Sequence, residues 1–278
     1  MDWGRAKNLI IFFLCLLNVA MFALIYTNNR AYRLTQSRER SITAVLAAND
    51  IISYVDIIKT FFPMRQIEMS PPEYDAELLP SIFMRVPENA ARSTERNRII
   101  YRNESETLVI DGPAVTYRRY GGGDGGVNLE EAERLCAALL KNLKKIGGAF
   151  AADGRVPIET EDGWLFSYRG TYRGYVVNSN SVEITVGADG ITRVDFTYYK
   201  PVSFVGVRRD ICSADEALLT AMRGIKKIRG DKAETLFITG MDVVYHKNLA
   251  TRATPYYRVF VSGFDAPFLI NAYENTIL

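Results

Sequence analysis

His246 is the one histidine in the chain, so any hydrolytic triad or imidazole-held metal would have to be built around it. It ends the alternating run Asp242-Val243-Val244-Tyr245-His246, where an exposed position at a strand edge is the ordinary expectation. Cys136 and Cys212 lack C-x-x-C spacing. The first falls on the apolar side of a predicted helix and the second immediately before another, which fits buried free thiols and leaves a bridge between them open. The carboxylate pairs Glu159 with Glu161 and Asp242 with Glu274 cannot be placed against one another by spacing. Gly121, Gly123 and Gly126 satisfy G-x-G-x-x-G between a strand and a helix. Five glycines in six positions satisfy most glycine patterns by chance, however, and a dinucleotide site also needs a parallel βαβ unit whose next strand ends in an acid. Here Gly147 to Pro157 reads as loop, and no Gly-Lys-Ser/Thr triplet completes a phosphate loop. The expectation is a non-enzymatic protein with no catalytic residue, no metal and no cofactor.

Aromatic residues are the more informative chemistry. Tyr168, Tyr172, Tyr175, Tyr198, Tyr199, Tyr256 and Tyr257 fall on predicted strands, and tyrosine-rich sheet faces are frequent at interfaces because the ring buries area while the hydroxyl stays wet. Tyr256 and Tyr257 are therefore candidates for a partner surface, with core packing as the ordinary alternative. The formal charge of +2, with acids and bases interspersed, provides no broad basic field for nucleic acid.

The elements that must position these residues begin with Leu9 to Tyr26, LIIFFLCLLNVAMFALIY, in which Asn18 is the one strongly polar side chain. At 1.5 Å per residue this run makes a helix of about 27 Å, close to the hydrocarbon thickness of a bilayer. Both faces are apolar, unlike a half-buried core helix. The run is longer than a signal-peptide core, and the nearest cleavage candidates, around Ala20 to Ala23 and Asn29 to Ala31, are poor. The reading is an uncleaved anchor. An amide in hydrocarbon seeks a partner, and interhelical bonds of this kind contribute about 0.6–2 kcal/mol. Asn18, with Cys15, Val19, Phe22 and Ala23, is the expected helix-pairing face. Arg5 and Lys7 precede the span while Arg30, Arg33, Arg38 and Arg40 follow it, so charge leaves the orientation open.

Beyond the span, Thr27 to Asp50 acquires helical spacing at Ile42, Val45 and Leu46, and Ile51 to Phe62 reads as a second helical piece ended by Pro63. Strands are expected at Ser81 to Val86, Arg98 to Arg102, Thr107 to Asp111 and Ala114 to Tyr120, with Pro87 to Asn97 as a loop. Asn128 caps a helix from Leu129 to Ile146, with Glu131 placed to reach back to the cap. Leu135, Leu139, Leu140 and Leu143 form its stripe. Further strands follow at Gly163 to Arg169, Tyr172 to Asn178, Val182 to Gly187 and Ile191 to Pro201, with turns at Arg169-Gly170, Asn178 to Ser181 and Asp189-Gly190. Ser213-Ala214-Asp215-Glu216 opens a helix to about Ile228, and strands Glu234 to Lys247, Tyr256 to Val261 and Phe268 to Ala272 finish the chain. Helix followed by antiparallel strands thus occurs twice, which predicts an α+β architecture of helices lying on curved antiparallel sheets.

Two stretches carry a family resemblance. The opening Met1-Asp2-Trp3-Gly4-Arg5-Ala6-Lys7, running directly into the apolar run with Asn18, resembles the start of YycI proteins. The ending, Pro255-Tyr256-Tyr257-Arg258-Val259, a turn at Ser262-Gly263 and Phe268-Leu269-Ile270-Asn271-Ala272-Tyr273, is similar to that family and to PepSY-like modules. The layout is then a cytoplasmic tail (1–8), a transmembrane helix (9–26), a juxtamembrane helical region (27–66), a first α+β module (67–208) and a PepSY-like second module (209–278). The resemblance implies a cytoplasmic N-terminus, an extracytoplasmic body and a non-enzymatic regulator in Gram-positive bacteria. Its implied partners are a YycH-like protein and a WalK-like sensor histidine kinase of cell-wall metabolism, contacted within the lipid bilayer. The alternative is a membrane-anchored PepSY-like inhibitor or chaperone of a secreted protease.

Overall fold

The computed structural model describes residues 3–75, 77–121, 126–154, 156–161, 163–230 and 235–278. Gly122 to Gly125, which include Gly123 of the glycine pattern, lie outside the described residues, as does Glu234, the expected start of a strand. In chain order the elements are α1 (Trp3–Ala31), α2 (Gln36–Ala47), β1 (Ile51–Ser53), β2 (Met64–Ser70), α3 (Leu78–Phe83), β3 (Ala91–Glu95), β4 (Arg98–Arg102), β5 (Glu106–Asp111) and β6 (Ala114–Arg119). Then come α4 (Leu129–Leu143), β7 (Phe150–Ala152), β8 (Ile158–Thr160), β9 (Gly163–Tyr172), β10 (Tyr175–Gly187), β11 (Gly190–Thr197) and β12 (Lys200–Arg209). The chain finishes with α5 (Ala214–Arg229), β13 (Leu236–Lys247), β14 (Arg252–Val261), β15 (Phe268–Asn271) and β16 (Thr276–Ile277). The architecture is α+β, with a long apolar N-terminal helix. Contacts divide it into two compact units: Met1–Met64 with Arg208–Asp242 and Tyr257–Leu278, and Arg65–Val207 with Val243–Tyr256.

In the first unit, Thr35 caps α2 by accepting from the Arg38 N–H, and Ile42 and Leu46 are buried as their spacing predicts. Helix α5 packs on α2, β15 and β16. Gly224 permits that approach, because a Cβ there would overlap the Ile277 side chain. The helix expected over Ile51 to Phe62 does not form. Instead β1 runs parallel to β13, Ile51 opposite Leu236, and the following residues are extended or irregular. Its β-branched residues, Ile51, Ile52 and Val55, fit a pleated surface, and pairing with β13 outweighs the helical spacing.

The second unit is built on the antiparallel order β3-β4-β5-β6-β11-β10-β9, with β7 and β8 on the outer edge of β9. Helix α4 lies against β9, β10 and β11. It buries Ala132, Cys136, Leu139 and Leu143, a stripe rotated slightly from the all-leucine one, with Leu135 and Leu140 only partly buried. Asn128 Oδ1 accepts the Glu131 N–H at 2.8 Å as the cap requires. The Glu131 carboxylate turns to Arg134 at 2.6 Å instead of reaching back.

Several expectations for this unit are corrected. Ser81 to Val86 is no strand: Ser81 to Phe83 close helix α3, because Leu79, Ile82 and Phe83 repeat at helical spacing into the core and Pro80 is tolerated in a first turn, and Met84 to Val86 are irregular. Strand β3 occupies part of the expected loop Pro87 to Asn97. Arg96 and Asn97, with φ of 45° and 70°, turn it into β4. Strand β9 runs through Arg169-Gly170, and the turn falls at Arg173-Gly174, both with positive φ. Asn178 to Ser181 is no turn: β10 continues through a register shift there, where its neighbour on one edge changes from β13 to β11. Ile191 to Pro201 divides into β11 and β12.

Two tight sites make the unit testable. Gly163 has φ of 124°, and a Cβ would overlap the Val186 carbonyl. Gly163→Ala should lower stability by about 3 kcal/mol, read as a fall in the urea midpoint. Glu106 is 2% exposed and accepts from the Tyr117 hydroxyl at 2.8 Å, the Arg85 N–H at 3.2 Å and Asn103 Nδ2 at 3.2 Å. Burial alone pushes its carboxyl up, but these hydrogen bonds outweigh burial and hold it below the usual range. Its stabilisation is therefore complete above the unfolded pKa and lost as pH falls through the lower folded one. Glu106→Gln should lower the melting temperature at pH 7 and flatten the acid limb of the melting-temperature profile.

Candidate functional site

The window Lys7–Leu24 of α1 is long and apolar enough to cross a membrane, and none of it is buried. Cys15, Asn18, Val19, Phe22 and Ala23 recur at helical spacing and all are exposed. Asn18 Nδ2 donates to the Leu14 carbonyl at 2.9 Å. That bond uses one hydrogen of the amide. The other hydrogen and the oxygen keep their capacity for a second helix.

The passage from α1 into the first unit is short. Tyr32–Thr35 separates the two helices, and within it Arg33 forms an antiparallel bridge with Thr60. The Leu34 N–H donates to the Lys59 carbonyl at 2.8 Å and the Phe61 N–H to the Tyr32 carbonyl at 3.1 Å. The Tyr32 ring lies 6.5 Å from Phe61 and 6.1 Å from Phe62, and its hydroxyl donates to Asp210 at 3.2 Å. One turn into α2, Arg38 grips the start of α5. Its Nε donates to Asp215 Oδ2 at 2.8 Å, and Nη2 to Asp215 Oδ1 at 2.9 Å and Ser213 Oγ at 2.7 Å. Glu216, reached by the same nitrogen at 3.3 Å, also closes the α5 capping box with Ser213. The sequence marks Ser213 to Glu216 as a helix start. Nothing in it reveals that Arg38, more than 170 residues earlier, is the counter-charge.

In the second unit, His246 is half-buried rather than exposed at an edge, because Val244 and Tyr245 pair with Val176 and Val177 of β10. Its Nδ1 lies 3.3 Å from Asn178 Nδ2 and 3.4 Å from Ser179 Oγ, and Tyr256 packs edge-on against the ring at 5.5 Å. Burial holds the imidazole below its ordinary value, so it is neutral near pH 7. Sequence reasoning missed Ser179 as its neighbour by reading the polar run Asn178-Ser179-Asn180-Ser181 as a turn. Ser179 Oγ also accepts the Lys247 N–H at 2.5 Å, so the cluster fastens β13 to the irregular part of β10.

Tyr256 and Tyr257 are 2% and 0% exposed, which corrects their reading as a partner surface. Side chains so enclosed cannot meet a partner in the folded state. The Tyr257 hydroxyl donates to the Cys212 carbonyl at 2.7 Å, and Tyr172, Tyr198 and Tyr245 likewise donate to backbone carbonyls. These tyrosines act as internal fasteners. Cys136 and Cys212 are both free, and burial pushes each thiol up to about 12.

No protein-family model and no curated protein sequence matches the chain. Among solved structures, an uncharacterized protein from Eubacterium rectale is similar with a TM-score of 0.52 and 12% identity, over 82% of this chain and 90% of that one. The two share a fold. Weaker likenesses are the Bacillus megaterium YpeB C-terminal domain, with a TM-score of 0.40, 11% identity and coverage of 75% and 96%, and YycH from Bacillus subtilis. For YycH the TM-score is 0.49 and the identity 10%, over 77% of this chain and 56% of that one.

The Arg38 grip predicts a measurable loss. Arg38→Ala leaves Asp215, whose side chain is 12% exposed, without its bidentate partner. Stability should fall by about 1–3 kcal/mol, since Arg38 itself is partly solvated, and denaturant unfolding of the purified chain reads the change.

Proposed function

We propose that the chain is a membrane-anchored, non-enzymatic regulator of a WalK-like sensor histidine kinase, acting beside a YycH-like protein. Its N-terminus lies in the cytoplasm and its folded body outside. One observation carries the reading: a helix of membrane length, wholly unburied in its own fold, joins the folded body through a short, hydrogen-bonded passage. The resemblance of both chain ends to YycI proteins supports the partner class and the orientation.

A lone amide in hydrocarbon favours lateral association, because a neighbouring helix can satisfy what lipid cannot. The row around Asn18 meets the partner helices, and the kinase responds by shifting between two packings that bind this helix unequally. The described structure offers His246 with an amide, a hydroxyl and an aromatic ring for neighbours. That set holds a strand in place without supplying the carboxylate that orients a catalytic imidazole.

Asn18→Leu in the full chain should weaken co-purification with the kinase and the YycH-like partner by about 3- to 30-fold, the equivalent of one lost interhelical hydrogen bond. Unchanged association would remove the pairing face. A chain beginning at Tyr32 that retained full activity in cells, or that inhibited a secreted protease by itself, would replace the regulator reading with the PepSY-like inhibitor one.

A further inference from the structure

We propose that the surface around Phe62, where α1 enters the first unit, rests on the phosphate-bearing headgroups of the bilayer that α1 spans. This rests on the anchor reading above and goes beyond it, because it assigns the folded body its own lipid contact.

Phe62 is 49% exposed, an uncommon state for a phenylalanine, and its ring leans on Tyr32. Tyr32 directly follows the last residue of α1. Eight residues separate it from Leu24, the end of the apolar window, which is about 12 Å along a helix axis and less along the membrane normal when the helix tilts. The interfacial layer on each side of a bilayer is about 5–8 Å deep. Tyr32, with Phe62 against it, therefore stands about 4–7 Å beyond that layer on an untilted helix, a gap that a long side chain spans, and the chain's continuity with α1 keeps it there.

The charges around it have the matching sign. Arg33 bridges to Thr60, two residues before Phe62, and is exposed. Asp210, which accepts from Tyr32, follows directly on Arg208 and Arg209, both exposed. The carboxylates at this junction are engaged: Asp210 with Tyr32, and Glu39 with Lys59 at 3.2 Å. Arg209 stacks on the Tyr273 ring at 4.5 Å, which leaves Arg33 and Arg208 as the exposed guanidinium groups on the strands that carry this junction. An exposed aromatic ring on a surface with exposed arginines suits the headgroup level, where the ring finds partial burial and the guanidinium groups find phosphate.

The test uses the full chain in nanodiscs of phosphatidylcholine and phosphatidylglycerol containing a lipid with a nitroxide on its headgroup. Trp3, at the start of α1 and 84% exposed, reports on the anchor in the native chain. The chain carrying Trp3→Phe and Phe62→Trp reports on the proposed contact, with Trp164 contributing the same background to both. We expect the tryptophan at 62 to lose emission to the nitroxide as Trp3 does, and to lose less when phosphatidylglycerol is omitted. Quenching of Trp3 without quenching at 62 would overturn the contact and leave the anchor standing. Absence of quenching at Trp3 as well would remove both.

Discussion

The arrangement of the first unit depends on how the chain stops being a free helix. Between Ala31 and Gln36 it makes two backbone hydrogen bonds with Lys59 and Phe61 and a side-chain bond to Asp210, and one turn later Arg38 closes on Asp215. The window Lys7–Leu24 buries nothing in its own fold and gains no tertiary packing from it. Its position relative to the body is set at this junction, by these polar contacts together with the Tyr32 ring on Phe61 and Phe62 and the buried Leu34. In the proposed regulator, whatever the helix experiences in the bilayer reaches the body through them.

Arg38 is well suited to this place. A guanidinium holds both oxygens of one carboxylate in a plane, so it fixes direction as well as distance. Because Asp215 and Glu216 open α5, the same carboxylates also complement the positive end of that helix. Helices α2 and α5 are thus fastened by a group that stabilises α5 in its own right. The second unit solves a different problem. Its tyrosines tie hydroxyls to backbone carbonyls and Glu106 is satisfied by three donors, so its buried polar groups hold the sheet together.

What the sequence made legible follows from which signals are local. The apolar run, the Asn128 and Ser213 caps and the β10–β11 hairpin are each decided within a few residues, and the structure has all of them, with the hairpin turn at Ala188-Asp189, one residue before the expected Asp189-Gly190. The α+β class followed from their order. Helix α3 was a local signal misread, while other failures arose where a distant strand decided the outcome. Ile51 to Ser53 is a strand because Leu236 to Ile238 lies beside it, and Asn178 to Ser181 stays in β10 because His246 and Lys247 meet it there. The Tyr256-Tyr257 pair was chemically ambiguous between core and surface, and only burial decides such a pair. The row around Asn18 is helical and exposed, as its spacing predicts, and its pairing role belongs to the proposal. The Arg38 grip was not legible, since its halves lie at opposite ends of the chain.

The brevity of the passage at Tyr32–Thr35 has a geometric result. With almost no slack between the last turn of α1 and the first bond to the body, the azimuth of the Asn18 row is set by the number of residues between them, as a key's bit is set by the length of its shank. Each residue added to or removed from the helix after Ala23 would swing that row by about 100° around the axis. Evolution could therefore re-aim that exposed row at a different neighbour by a single insertion, leaving the rest of the first unit and all of the second untouched.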